Sequence, residues 1–143
     1  MYKVNPIRRK GFTLIELMMT LFVIATLSAI AYPCYVHFLL KRHRSDAIST
    51  LIRAQFTLER CYAEHFSYNV LCSPLLSFPQ TSTQGFYRIR IAKLGTTTYT
   101  LTATPMGYQT KDATCASLSI DQSNIKTAVD STGAVQPSCW NPS

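Results

Sequence analysis

Residues 11–32 read GFTLIELMMTLFVIATLSAIAY, and the apolar character of this stretch governs how the rest of the chain is read. The run extends to Leu40, so residues 12–40 hold 29 positions with one formal charge, Glu16. As a helix rising about 1.5 Å per residue, the segment is about 43 Å long, more than enough to cross a bilayer. A secretory signal peptide is the first rival; residues 29–31 weakly imitate its small-residue cleavage site, but the apolar run continues past them. An ionisable group near the start of a membrane helix costs about 2.5 to 3.5 kcal/mol, so Glu16 is expected to face a partner rather than lipid. The bland alternative is a side chain that snorkels to the interface. Pro33 removes a backbone donor and crowds the preceding turn, which predicts a kink.

Outward from Leu40 the periodicity changes. Ile48, Leu51, Ile52, Gln55, Leu58 and Tyr62 recur mostly at intervals of three and four, while Arg44, Arg53 and Glu59 fall mainly elsewhere, as in an amphipathic helix. One long helix is therefore expected over residues 12–63. Residues 64–85 carry Pro74, Pro79 and several Ser and Thr without a sustained period, and read as a loop. Four strands are expected beyond it, at 86–94, 98–104, 116–120 and 125–129, each alternating or bounded by turn residues. The simplest architecture is α+β, a four-stranded antiparallel sheet laid against the amphipathic half of the helix.

Five cysteines occur: Cys34 in the apolar run, where a small apolar filler is the simplest role, and Cys61, Cys72, Cys115 and Cys139 beyond it. Four cysteines in a small exported head favour two disulfides, with three pairings open. Zinc ligation does not fit, because no CxxC pair exists and His37, His43 and His65 are scattered.

The string Arg9-Lys10-Gly11-Phe12-Thr13-Leu14-Ile15-Glu16-Leu17 resembles the prepilin signal of the type IV pilin and type II secretion pseudopilin families. The resemblance implies that residues 1–11 are a leader, cut by a prepilin peptidase between Gly11 and Phe12, with methylation of the new Phe12 amine. It implies that Glu16 pairs with that amine on a neighbouring subunit, so that a subunit docked out of register leaves both charges unpaired. Glycine suits the cut physically, since a residue without Cβ lets an extended backbone approach closely. Residues 62–68 (YAEHFSY), 99–105 (YTLTATP), 115–122 and 138–140 resemble the minor pilins related to the PilE group and to the DNA-uptake receptor pilins. Their apolar residues are equally explained as core. The family also implies a proline where Pro33 lies and a C-terminal closing disulfide at Cys115–Cys139, which leaves Cys61–Cys72 to close a shorter loop. Each bridge contributes about 3 kcal/mol in the chain-entropy model.

The implied organisation is a leader at 1–11, a membrane-spanning assembly helix at 12–40, and a head at 41–143. The head divides into the amphipathic helix 41–63, the loop 64–85, and the sheet with its disulfide loop at 86–143. Lys3, Arg8, Arg9 and Lys10 supply most of the net charge of +7; without them ten basic residues face seven acidic ones, leaving +3. Such a balance argues only weakly for nucleic acid. Because Lys41, Arg42 and Arg44 flank the other end of the apolar run, charge counting barely sets orientation. The peptidase motif sets it, placing Gly11 on the cytoplasmic side and the head in the periplasm, then on the pilus at the cell surface. Implied partners are the peptidase, other major and minor pilins through the helix, and the inner-membrane assembly machinery.

Three function classes follow. The first is a structural subunit that joins or primes a type IV pilus serving adhesion, twitching motility or natural transformation. The second is a DNA-binding minor pilin, with Arg88, Arg90, Lys93, Lys111 and Lys126 as candidate phosphate contacts, against a plain solvated strand face. An enzyme is disfavoured: there is no plausible Ser, His and Asp arrangement, no paired carboxylates in the head, no phosphate loop, and no metal-ligand cluster. Asp112, Asp121 and Asp130 sit in turn-like surroundings, where structural roles are the default, and no compact oxygen-ligand motif suggests calcium. No cofactor is expected, and the residues do not separate a pilus from a secretion pseudopilus beyond the C-terminal cysteine loop and the segment resemblances.

Overall fold

A computed structural model describes residues 11–68 and 78–141. Two compact units are present, Met1–His37 and Phe38–Ser143. One helix, α1, spans Leu14–His65, and its helical assignment continues through Pro33. In the first unit the most apolar 18-residue window has a mean hydropathy of 2.2 with none of it buried. Even its hydroxyls suit an apolar surrounding: Thr20 donates to the Leu17 carbonyl at 2.8 Å and Thr26 to the Val23 carbonyl at 2.9 Å. A hydroxyl folded back on its own helix presents no unsatisfied polar group to hydrocarbon.

In the second unit, α1 buries Leu40, Arg44, Ala47, Leu51, Ala54, Leu58 and Cys61, at alternating intervals of four and three. This row is turned slightly from the expected one: Ala47 and Ala54 hold the centre, while Ile48 and Tyr62 pack only partly buried at its edge. Alanine lets the helix backbone come close to the sheet, so the smallest residues take the middle and the larger apolar ones flank it.

The sheet has five antiparallel strands, β1 (Gln80–Thr81), β2 (Tyr87–Leu94), β3 (Tyr99–Pro105), β4 (Ser117–Asp121) and β5 (Lys126–Val129), in chain order. The four expected strands are β2 to β5. The fifth, β1, falls inside the expected loop and corrects the four-stranded reading. Two residues with no apolar alternation give no strand signal, and the strand exists because the turn after it is tied down from a distance. Ser82 hydroxyl and the Gln84 amide both donate to the Asp46 carboxylate on α1, and the Tyr87 amide donates to the Ser82 hydroxyl at 2.9 Å. Gly85, at φ +84°, closes that turn where a side chain would be strained.

Register puts Tyr87, Ile89, Leu101, Ala103, Leu118, Ile120 and Ala128 on the face toward α1, all buried. Between β3 and β4 the chain makes two 3-10 turns, Gly107–Lys111 and Ala113–Cys115. The Cys115–Cys139 disulfide joins the second turn to the C-terminal 3-10 turn Pro137–Trp140, both sulfur-bearing residues fully buried. The implied closing bridge is therefore present. Cys61 is buried at the end of α1, and its implied partner Cys72 lies outside the described residues.

Candidate functional site

At the start of α1, Gly11 and Phe12 are exposed and non-helical, and a Cβ built on Gly11 would meet no atom within 4 Å. Thr13 is the N-cap. Its amide and its hydroxyl both donate to Glu16 Oε2, at 3.0 and 2.9 Å, and the Glu16 amide donates back to the Thr13 hydroxyl at 3.3 Å. This reciprocal arrangement is a capping box, which satisfies two of the orphan donors of a helix start. Sequence reasoning singled out Glu16 and missed its local partner, although the Thr-x-x-Glu spacing states it. Glu16 Oε1 has no hydrogen-bond partner among the described residues. The Pro33 position lies within α1 with exposed side chains on either side.

In the head, Arg44 was expected on the solvent side of α1. It is buried instead, its Nε and Nη2 donating to the two oxygens of Asp112 at 2.7 and 2.8 Å. Gln109 completes the cluster: its side-chain amide donates to the Leu40 carbonyl at 3.0 Å, the Tyr87 hydroxyl at 2.9 Å and Asp112 at 3.3 Å. His43 Nδ1 contacts Gln109 Oε1 at 3.0 Å, and its ring stacks on Phe86. These bonds fasten the first 3-10 turn to α1 across 66 to 69 positions of sequence, a separation at which no local pattern could reveal them. A second, half-buried device holds the other end of the helix, where Glu59 accepts from the hydroxyls of Tyr68 at 3.0 Å and Tyr99 at 2.7 Å. Burial pushes the Tyr68 hydroxyl up to about 12, and drives that of Tyr99 higher still. Both tyrosines therefore stay neutral donors through the physiological range.

Of the five candidate phosphate contacts, the four with described side chains lie on three elements: β2, the first 3-10 turn and β5. Arg88 and Arg90 are exposed on the sheet face turned away from α1. Arg90 opens a row that register carries across four strands, through Thr102, Ser119 and Thr127. The Thr102 and Ser119 hydroxyls are 3.1 Å apart, and the Thr127 carbonyl accepts from the Trp140 indole at 2.9 Å. Lys111 lies over the Tyr108 ring at 4.3 Å in the first 3-10 turn, and Lys126 lies 5.6 Å from the Trp140 ring centroid on the edge strand. Lys93 pairs with Thr100 in the ladder, and its side chain lies outside the described residues. Asp121 and Asp130 each accept backbone amides from their own turns, the structural role expected of them. No group of three or more potential metal ligands stands together among the described residues.

Comparison with known proteins gives two family matches. Residues 33–119 match the family described as "Type IV minor pilin ComP, DNA uptake sequence receptor", and residues 7–32 match the "Prokaryotic N-terminal methylation motif". Similar curated proteins include the Prepilin peptidase-dependent protein D of Escherichia coli (strain K12), 41% identical over 58 residues, which are 41% of this chain and 40% of that protein. The Type IV major pilin protein PilA of Myxococcus xanthus (strain DK1622) is 33% identical over 89 residues, 62% of this chain and 40% of PilA. The chain thus spans about two fifths of the length of both relatives. Among solved structures, the non-core minor pilin PilV of Neisseria meningitidis superposes with a TM-score of 0.56 at 16% identity, covering 69% of this chain and 95% of that one. At that identity the likeness speaks for the fold.

Proposed function

The chain belongs to the type IV minor pilin family, and from that membership we propose that it is a structural subunit, processed after Gly11 and carried into a type IV pilus by residues 12–40. The observation that carries this reading is the methylation-motif match over residues 7–32, on a helix start whose apolar residues are left exposed by the described residues. Phe12, Leu14, Ile15 and Phe22 are each at least 65% exposed, so their burial must come from lipid or from other subunits. The capping box supports the assigned role of Glu16. It orients the carboxylate at the helix start and leaves Oε1 open for the amine of a neighbour's Phe12. Before assembly the apolar segment spans the membrane with the head on the far side from the leader. The prepilin peptidase, other pilins and the inner-membrane assembly machinery are the partners, and no catalytic step belongs to the chain itself.

Processing is the direct test. Gly11→Val has open space for its side chain, so the fold does not oppose it, whereas a peptidase that must approach the backbone closely does. Intact-mass analysis of the wild-type chain should show loss of residues 1–11 and one added methyl group; the variant should remain full length. Normal cleavage of Gly11→Val would reject the reading.

A second reading, DNA uptake, is favoured by the family description and by Arg88 and Arg90 on a hydroxyl-lined sheet face. Arginines neutralise phosphates and threonine or serine hydroxyls add neutral phosphate contacts, so affinity should fall steeply with salt. A gel shift with the full chain in detergent tests it. The double variant Arg88→Ala/Arg90→Ala should weaken binding and lower its salt dependence, and no binding by the wild type at low salt would reject it.

A further inference from the structure

Where the apolar run ends, the head opens a groove of about 310 Å³ lined by Leu39, Arg42, His43, Ser45 and Gln84. One wall is among the last apolar residues of the run, the next is a guanidinium, and the others carry hydroxyl and amide donors. Arg42 is exposed. Its guanidinium lies 5.7 Å from the ring centroid of Phe38, one turn back, the direction in which a helical side chain leans by geometry. The charge is thus displaced toward the apolar segment. His43 lines the groove with its ring held in place, stacked at 3.6 Å on Phe86 and tied to Gln109. Arg44 is consumed by Asp112, and the nearby Asp46 carboxylate is turned inward onto Ser82 and the Gln84 amide. Among the residues that line it, the groove therefore presents Arg42 as an exposed cation beside the held ring of His43.

We infer that this groove binds the phosphate of an anionic phospholipid in the leaflet on the head's side of the membrane. Arg42 is the principal ligand. A planar guanidinium suits a phosphate diester through paired N–H donors, and Ser45 Oγ and the Gln84 side-chain amide supply neutral donors beside it. Leu39 faces the glycerol and acyl end. Phe38, more than half exposed next to Arg42, sits where aromatic side chains settle between headgroups and hydrocarbon. The inference rests on the reading of residues 12–40 as membrane-spanning before assembly. Its consequence is that the subunit is held at a set depth by a lipid contact that must be released when the helix end is covered in a filament.

The test uses the full chain in nanodiscs of equal phosphatidylglycerol and phosphatidylcholine, with the lipids that stay bound counted by native mass spectrometry. One basic side chain at an anionic surface corresponds to about a fivefold preference, so phosphatidylglycerol should be enriched about fivefold over the bulk ratio. Arg42→Gln should return the ratio to bulk. Arg53→Gln, an exposed arginine further along α1, should leave the enrichment intact. No enrichment in the wild type, or equal enrichment in Arg42→Gln, would overturn the proposal. Displacement of the lipid by excess inorganic phosphate would also overturn it, by making the groove a general anion site. A chain that never enters the disc defeats the membrane-spanning reading as well, and insertion scored on the same sample tells the two failures apart.

Discussion

Residues 14–37 of α1 leave large apolar side chains exposed on every side, whereas residues 38–65 bury one row, from Leu40 to Cys61, on the head. Both stretches are helix, and the difference lies in what each helix face is matched to. In the second stretch side chains find partners within the chain: Leu51 and Leu58 in the core, Arg44 on Asp112, and the half-buried Glu59 on two tyrosines. In the first stretch the bonds among the described residues stay within the helix itself: its backbone ladder, the Thr13–Glu16 cap, and the Thr20 and Thr26 hydroxyls folded onto carbonyls. An apolar residue that stabilises nothing in its own chain must act on something outside it, so the first stretch reports on partners and the second on folding.

The contrast is sharpest at the buried ion pair. Asp112→Asn keeps the shape but leaves the Arg44 guanidinium buried without a counter-charge, which typically costs about 3 to 5 kcal/mol. Denaturation of the full chain in detergent, followed by the single tryptophan, Trp140, should show that loss. The double change Arg44→Met/Asp112→Leu should recover most of it. A double variant no more stable than Asp112→Asn would mean that the geometry of the pair, and not the lone charge, governs the head.

A paired truncation asks the same question of the apolar residues. Leu51 is fully buried, so Leu51→Ala should cost about 2 to 5 kcal/mol of head stability through lost burial and the cavity left behind. Leu21 is 57% exposed, and Leu21→Ala should leave the denaturation midpoint of the head unchanged while weakening filament incorporation. Equal losses from both substitutions would break the division between the two stretches.

These expectations also mark what could be read from residues alone. The apolar segment and its motif are written in consecutive positions, and four strands and the helix follow from periods of two and about three and a half. Composition cannot show Arg44 turning inward, because an arginine at that spacing is a solvent-facing residue unless a carboxylate 68 positions away meets it. The same holds for β1, whose two residues become a strand only because Asp46 fixes the turn that follows. Thr13 is a different kind of omission. Its spacing from Glu16 is sufficient to predict the cap, a local bond that needs no distant partner.

The smallest expected effect is local and depends on acid. Asp130 opens the turn before the C-terminal disulfide. Its Oδ1 accepts from the Thr132 hydroxyl and from the Thr132 and Ala134 amides, and Oδ2 accepts from the Gln136 side chain. The Thr132 hydroxyl above all, then Gln136 and the amides, favour the charged form and hold this carboxyl down to about 2, against 3.8 ordinarily. The stabilisation is thus fully present above the ordinary value and is lost as pH falls through the depressed one. Because Asp130 is only half-buried and its bonds stay within its own turn, the change should loosen the turn without unfolding the head. Amide exchange at Thr132 and Ala134, corrected for intrinsic rates, should accelerate between pH 4 and pH 2 relative to these two values and stay level above that window. Asp130→Asn should flatten the dependence, and residues 14–37 should show none of it. An equal acid response in both regions would mean that protonation acts on the whole chain and that the turn is not an independent unit.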